Sequence, residues 1–183
     1  MNLLTVVRDF LLNPARCGYT QLIAIDGPAG AGKTTLANAL LLALQADRNV
    51  NLIHLDEIYA GWELALTPAL TASLSKILET VSSGVSTLIP IYDWTVQQFT
   101  STREVSPCDI IILEGVGSAQ RVVRERATMT IWLDIDPHTG LERVLQRDGL
   151  AIREQMQLWQ VREKAHFLAD ATRENVDFVL SAI

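Results

Sequence analysis

The stretch IAIDGPAGAGKTTLANALLLAL, residues 23 to 44, constrains the fold more than any other part of the chain. A block of aliphatic residues enters a glycine-rich turn, and the turn enters a long apolar helical pattern. Within it GPAGAGKT, residues 27 to 34, matches G-x-x-x-x-G-K-[ST] between a strand and a helix, the context in which that spacing wraps backbone around phosphate oxygens. Gly27, Gly30 and Gly32 give the backbone this freedom, and with Ala29 and Ala31 they bring N–H groups to the favourable end of a helix dipole. Lys33 is expected to reach the β- and γ-phosphates. Thr34 is expected to place its hydroxyl on Mg²⁺, and Thr35 to bond an oxygen near the α-phosphate. A nucleoside triphosphate is therefore the expected ligand.

Beyond this stretch, apolar β-rich runs alternate with helical patterns, the sequence mark of a parallel sheet with crossover helices. Strands are expected at 21 to 26, 51 to 56, 86 to 91, 109 to 114, 129 to 134 and 176 to 180. Helices are expected at 33 to 47, 67 to 82, 118 to 126, 137 to 148 and 150 to 172, with Asp136 and Pro137 as a cap and first-turn pair. The expected fold is a single α/β domain over 1–183, a mostly parallel sheet of about five strands with helices on both faces. Residues 1–20 form an N-terminal helix and connector, and 137–155 a lid-like region. Ligands of such sheets bind beyond the carboxyl ends of the strands, so Asp26, Asp56, Glu114 and Asp134 should lie near one rim.

Composition narrows the partners. A formal net charge of −6 argues against a general nucleic-acid surface. Apolar runs such as IIIL at 110 to 113 fall far short of the ~20 residues that cross a membrane. The first twelve residues, with Arg8 and Asp9 inside the apolar pattern, are unlike a secretory signal, so a cytoplasmic location is expected. Cys17 and Cys108 have no metal-ligand spacing and are expected to be apolar fillers. Expected partners are thus small molecules; oligomeric state stays open.

Two acids stand out. Asp56, at the end of the second expected strand, would face the γ-phosphate as base for an attacking hydroxyl, as a Mg²⁺ neighbour, or as both. The alternative is an acid capping a turn, and Glu57 is the weaker candidate beside it. Glu114 closes an aliphatic strand before Gly115, the pattern of a metal-supporting acid, with a structural strand-end acid as the alternative. Asp26 would brace the glycine loop, and Asp134 or Asp136 would cap the following helix.

The acceptor side is read from PIYDWTVQQFT at 90 to 100, where Tyr92, Asp93 and Trp94 combine aromatic faces with an acid able to hold ring edges or sugar hydroxyls. Core packing is the alternative, most of all for Trp94. Arg143 and Arg147 lie four apart on one helix face and could neutralise charge on a transferring phosphoryl group, or could form a solvated face pairing with Glu142.

With these residues in hand, the chain resembles the uridine kinase branch of the P-loop nucleoside kinases over most of residues 20 to 180. The resemblance is carried by the glycine loop and by the acid-rich segment Asp56 to Tyr59. It is carried further by Tyr92-Asp93-Trp94, by Glu114-Gly115-Val116, and by the series Leu141, Arg143, Arg147, Asp148. It implies transfer of the ATP γ-phosphate, with Mg²⁺, to a nucleoside hydroxyl. Asp56 would be base and Mg²⁺ neighbour, with Thr34 and Glu114 completing the metal environment. Tyr59 and Tyr92 would help hold the nucleoside, and Arg143 and Arg147 would serve the lid. Where that family continues with an arginine-rich lid, this chain has DGLAIRE with only Arg153. Two rival expectations are a nucleotide-binding regulatory protein and a partner-coupled ATP hydrolase.

Overall fold

A computed structural model of the chain describes residues 3–182; Met1, Asn2 and Ile183, which belong to the expected single domain, lie outside the described residues. The glycine loop joins β1 (Gln21–Asp26) to α2 (Lys33–Leu44), as the sequence requires. Five strands, β2 (Val50–His54), β5 (Ile110–Glu114), β1, β6 (Met129–Asp134) and β7 (Phe178–Ser181), form one sheet in the order β2-β5-β1-β6-β7. Every pairing in it is parallel.

Strand alternation divides the core. Ile23 and Ile25 of β1 face one side with Ile110, Ile112 and Ile131, and pack on Leu36 and Leu40 of α2 and Val7 of α1 (Leu3–Phe10). Leu22 and Ala24 face the other, with Ile111 and Leu113. They pack against Leu74 and Leu78 of α4 (Pro68–Ser82) and against Met156 and Trp159 of α7 (Arg153–Asp170). The central strands β5, β1 and β6 are almost wholly buried, which explains their uninterrupted aliphatic composition.

The strand expected at 86 to 91 does not join this sheet. It forms β3 (Thr87–Asp93), which pairs antiparallel with β4 (Gln98–Val105) as a separate two-stranded hairpin. β4, absent from the expected strands, is exposed along most of its length, so it carries no apolar alternation to reveal it. The second expected strand is also shorter: β2 stops at His54, and Leu55–Glu57 turn as one 3₁₀ turn. The helix expected at 118 to 126 contracts to α5 (Arg121–Arg124). That expected at 150 to 172 divides into a 3₁₀ turn at Leu150–Ile152 and α7.

α6 (Pro137–Asp148) starts where expected. Asp136 accepts the Thr139 N–H at 3.0 Å, and Pro137 occupies the first turn. The remaining short helix is α3 (Gly61–Leu64). Cys17 and Cys108 are free thiols. Among the described residues no helix is long and apolar enough to cross a membrane.

Candidate active site

The carboxyl ends of β1, β2 and β5 open into a cavity of about 690 Å³. Its phosphate side is the glycine loop. Gly30 has φ +81°, and a Cβ there would stand 2.3 Å from the Gly140 carbonyl oxygen of α6. Gly140 is equally constrained: its own Cβ would meet the Ala29 carbonyl oxygen at 2.6 Å. The loop and the first turn of α6 thus touch backbone to backbone, which only glycine on both sides permits.

Asp26 braces the loop as expected. Fully buried, its carboxylate accepts the N–H groups of Gly27 at 2.7 Å, Gly117 at 2.9 Å and Ala119 at 2.7 Å. Burial pushes its pKa up to about 6, opposed by those three N–H groups and by Lys33. The buried Lys33 ammonium donates to the carbonyls of Gly27 and Pro28, at 2.8 Å each.

Glu114, also buried, accepts the Thr34 hydroxyl at 3.0 Å and meets His54 Nδ1 at 2.5 Å. That bond raises the His54 pKa against the effect of its burial. Asp56 lines the same cavity and is exposed, yet the surrounding walls raise its pKa by desolvation, and Glu114 raises it further. Lys33, Arg147 and His54 pull it the other way.

Thr34, Asp56 and Glu114 supply hard oxygen donors at one end of the cavity, so this set fits Mg²⁺. Among the described residues, no group of three or more His, Cys, Asp or Glu side chains could hold a metal on its own.

The opposite wall is aromatic. Trp62 contacts Trp94 edge to face with centroids 5.2 Å apart and Trp159 at 5.8 Å, while Tyr59 lies 5.5 Å from Trp159. Trp94 lines the cavity and donates its indole N–H to the Asp56 carbonyl at 2.9 Å, which ties the hairpin tip to the acid-bearing turn. Tyr59 also lines it, but its hydroxyl is buried and committed to the Val116 carbonyl at 2.7 Å, so it supports the wall instead of presenting a polar group.

Tyr92 and Asp93, expected to hold the acceptor, are not among the lining residues. Asp93 builds the hairpin turn, accepting the N–H of Thr95 at 2.8 Å and of Val96 at 3.3 Å, and Tyr92 packs between Trp94 and Phe99. Asp134 pairs with Arg173 at 2.7 Å instead of capping, and Glu57 pairs with Arg103 at 2.8 Å.

Arg143 and Arg147 both line the cavity, as their four-residue spacing on one face suggested. Arg147 grips Asp148 through two hydrogen bonds of 2.7 and 2.6 Å. Arg153 is not among the lining residues. Trp62, which follows Asp56 in a segment expected to do more than connect, lines the cavity, and Trp159 of α7 joins it. Sequence reasoning passed over Trp159 and Glu163, because the largely polar composition of α7 gives no sign of which face turns inward.

A parallel five-stranded sheet with a glycine loop between β1 and α2, Lys33 folded into that loop, and two carboxylates at neighbouring strand ends defines a P-loop nucleotide-binding domain. More specifically, the model of the phosphoribulokinase/uridine kinase family matches residues 70–167, more than half of the chain. The chain belongs to that family.

It is 30% identical to a chloroplastic uridine/cytidine kinase of Arabidopsis thaliana over 151 residues, 74% of this chain and 31% of that protein. It is 28% identical to a uridine kinase of Chloroflexus aurantiacus over 144 residues, 71% of this chain and 68% of the relative. The chain therefore spans about a third of the plant relative's length. A solved structure described as a possible uridine kinase from Bacillus stearothermophilus shares the fold, with a TM-score of 0.67 at 21% identity over 97% of this chain and 96% of that one.

Proposed function

We propose that the chain is an ATP-dependent phosphotransferase that moves the γ-phosphate to a hydroxyl of a small molecule, most readily a nucleoside. The observation that carries this reading is the placement of Asp56. It stands in one cavity with Lys33 on the phosphate side and Trp62 and Trp94 on the other. The family membership and the uridine kinase names of the relatives support the nucleoside as acceptor.

In this reading the glycine loop and Lys33 hold the β- and γ-phosphates. Asp56 accepts the proton of the attacking hydroxyl, for which its raised pKa makes it a better base. Arg143 and Arg147 offset charge spreading over the transferring group, and Arg147 must exchange its hold on Asp148 to do so. The Trp62 and Trp94 faces orient a ring or the apolar face of a sugar. Thr34, Asp56 and Glu114 would hold Mg²⁺, which when bound screens the phosphate charge. Closure of the site over ATP would come from α6, whose first turn already rests on the loop.

A second reading, a nucleotide-binding regulator without transfer chemistry, draws on the lid, where Arg153 stands away from the cavity lining. A coupled ADP-release screen across nucleosides, vitamins and sugar phosphates separates the two, with Lys33→Ala as blank. Acceptor-dependent ADP release, strongest for a nucleoside and absent in the blank, is expected. ATP binding with no release on any acceptor would favour the regulator.

A further inference from the structure

Glu163 is an anomaly in α7. The helix is otherwise polar on much of its surface, yet this carboxylate is only 4% exposed and points beneath the phosphate loop. Its Oε2 accepts two hydrogen bonds from different parts of the site. One comes from the backbone N–H of Ala29 in the glycine loop, at 3.0 Å. The other comes from the indole N–H of Trp159, at 2.9 Å, and Trp159 packs on both Trp62 and Tyr59 of the aromatic wall. One residue earlier, Arg162 donates to the Trp62 carbonyl at 3.0 Å. A single buried oxygen is thus the junction between the loop that would carry phosphate and the wall that would meet the acceptor.

A buried carboxylate is a costly way to satisfy two N–H groups, since a carbonyl or amide oxygen would accept them without desolvating a charge. What a carboxylate adds is sensitivity to charge nearby. Phosphate arriving in the loop brings negative charge toward Glu163 and competes for Lys33, the cation that now offsets it. Either change alters the oxygen that fixes the Trp159 indole.

We propose that Glu163 is a positioning residue that transmits occupancy of the phosphate loop to the aromatic wall through Trp159. The proposal rests on the nucleotide reading of the loop but not on transfer chemistry. The charged and titratable groups facing Glu163 are Lys33 of α2, Asp26 at the end of β1, and the Tyr59 phenol. Burial pushes the Glu163 pKa up to about 7, against the Ala29 N–H, Lys33 and Trp159. The junction therefore changes charge close to neutral pH.

The test is tryptophan fluorescence with a non-hydrolysable ATP analogue, its binding followed independently by calorimetry. The Trp159 contribution is taken as the difference between the wild type and Trp159→Phe. That contribution is expected to change when the analogue binds. In the protein alone it should titrate with a midpoint near 7, the position to which burial moves Glu163. Glu163→Gln should still bind the analogue but lose both the titration and the Trp159 response. Asp26 remains in that variant, so a titration belonging to Asp26 would persist.

Glu163→Asp keeps the charge and shortens the reach, and serves if the Gln variant does not fold. It should retain a titration while its response to the analogue falls toward the Trp159→Phe level. An unchanged Trp159 response in either variant overturns the proposal, as does a titration that survives in Glu163→Gln. Analogue binding without any Trp159 response overturns the proposal alone. Absence of analogue binding overturns the nucleotide reading with it.

Discussion

At the glycine-loop end of the cleft Asp26 is fully buried and holds three backbone N–H groups, whereas on the opposite wall Trp94, 36% exposed, rides on a two-stranded hairpin. The first region is fixed by backbone N–H groups of the segments that follow β1 and β5. The second is fixed by side chains reaching across short peripheral elements, such as the Trp94 bond to Asp56 and the Arg103 bond to Glu57. The contrast teaches a division of labour. Charge placement at the phosphates demands rigid donors, which buried backbone supplies. Exposed aromatic residues on a peripheral hairpin can vary without disturbing that frame.

The contrast can be broken first at Asp56, which joins the two regions. Asp56→Asn is expected to lower kcat roughly 10²- to 10⁴-fold while the KM for ATP changes little, as befits loss of a base. Steady-state kinetics on the acceptor found in the screen would check it, and a variant with wild-type kcat would remove Asp56 from the chemistry. Next comes the frame itself. Asp26→Ala leaves three buried N–H groups without their acceptor and should cost about 3 kcal/mol or more of stability in denaturant unfolding. A loss well below that would mean the loop is braced by other contacts.

Stability should also depend on pH in a direction set by the buried acids. Asp26 is raised from 3.8 to about 6, and Glu163 from 4.5 to about 7. Below the unfolded values both states are protonated, and the stability from these groups is fully present. As pH rises, the unfolded chain ionises first, and that stability is lost through about 6 and about 7. His54, raised by Glu114, acts in the same direction, while His166, lowered by burial, opposes it. Glu163→Gln should therefore flatten the fall in Tm between mildly acid and mildly alkaline buffer. Identical slopes in the two proteins would contradict a raised Glu163.

The acceptor end should respond more weakly and more selectively. Trp94→Ala removes one edge-to-face partner of Trp62, and about 1 kcal/mol of aromatic contact corresponds to a roughly five-fold rise in acceptor KM. ATP binding should stay as in the wild type; an equal loss on both substrates would show that the hairpin shapes the whole cleft. Smallest of all is Asp93→Ala. It removes the acceptor of two turn N–H groups, so stability should fall by about 0.5 to 1 kcal/mol with acceptor KM nearly unchanged. A large KM effect would instead return Asp93 to substrate binding.

The legibility of the chain follows the same contrast. The glycine loop, the aliphatic β1, β5 and β6, and the Asp136-Pro137 start of α6 were all readable, because each is encoded by neighbouring residues. Four-residue spacing likewise put Arg143 and Arg147 on one face, and both meet the cavity. The hairpin was not readable. β3 has the composition of a sheet strand, and its partner β4 is too exposed to show a pattern. The pairing of an aromatic face with an acid makes Tyr92 and Asp93 look like acceptor residues, yet Tyr92 packs on Phe99 and Asp93 accepts turn N–H groups within the hairpin itself.

The sequence by itself determined the glycine loop between β1 and α2 and the carboxylates near the strand ends, since both follow from the strand-loop-helix order and local turn chemistry. Tertiary structure alone decided what surrounds that loop. Glu163 lies 134 residues from Ala29, Trp62 meets Trp94 and Trp159 from two other elements, and Gly140 fits against Gly30. The physical reason is that local sequence sets dihedral angles and hydrogen bonds within a few residues. Which helix face is buried, and which buried charge finds its donors, depends on packing between segments that local patterns do not describe.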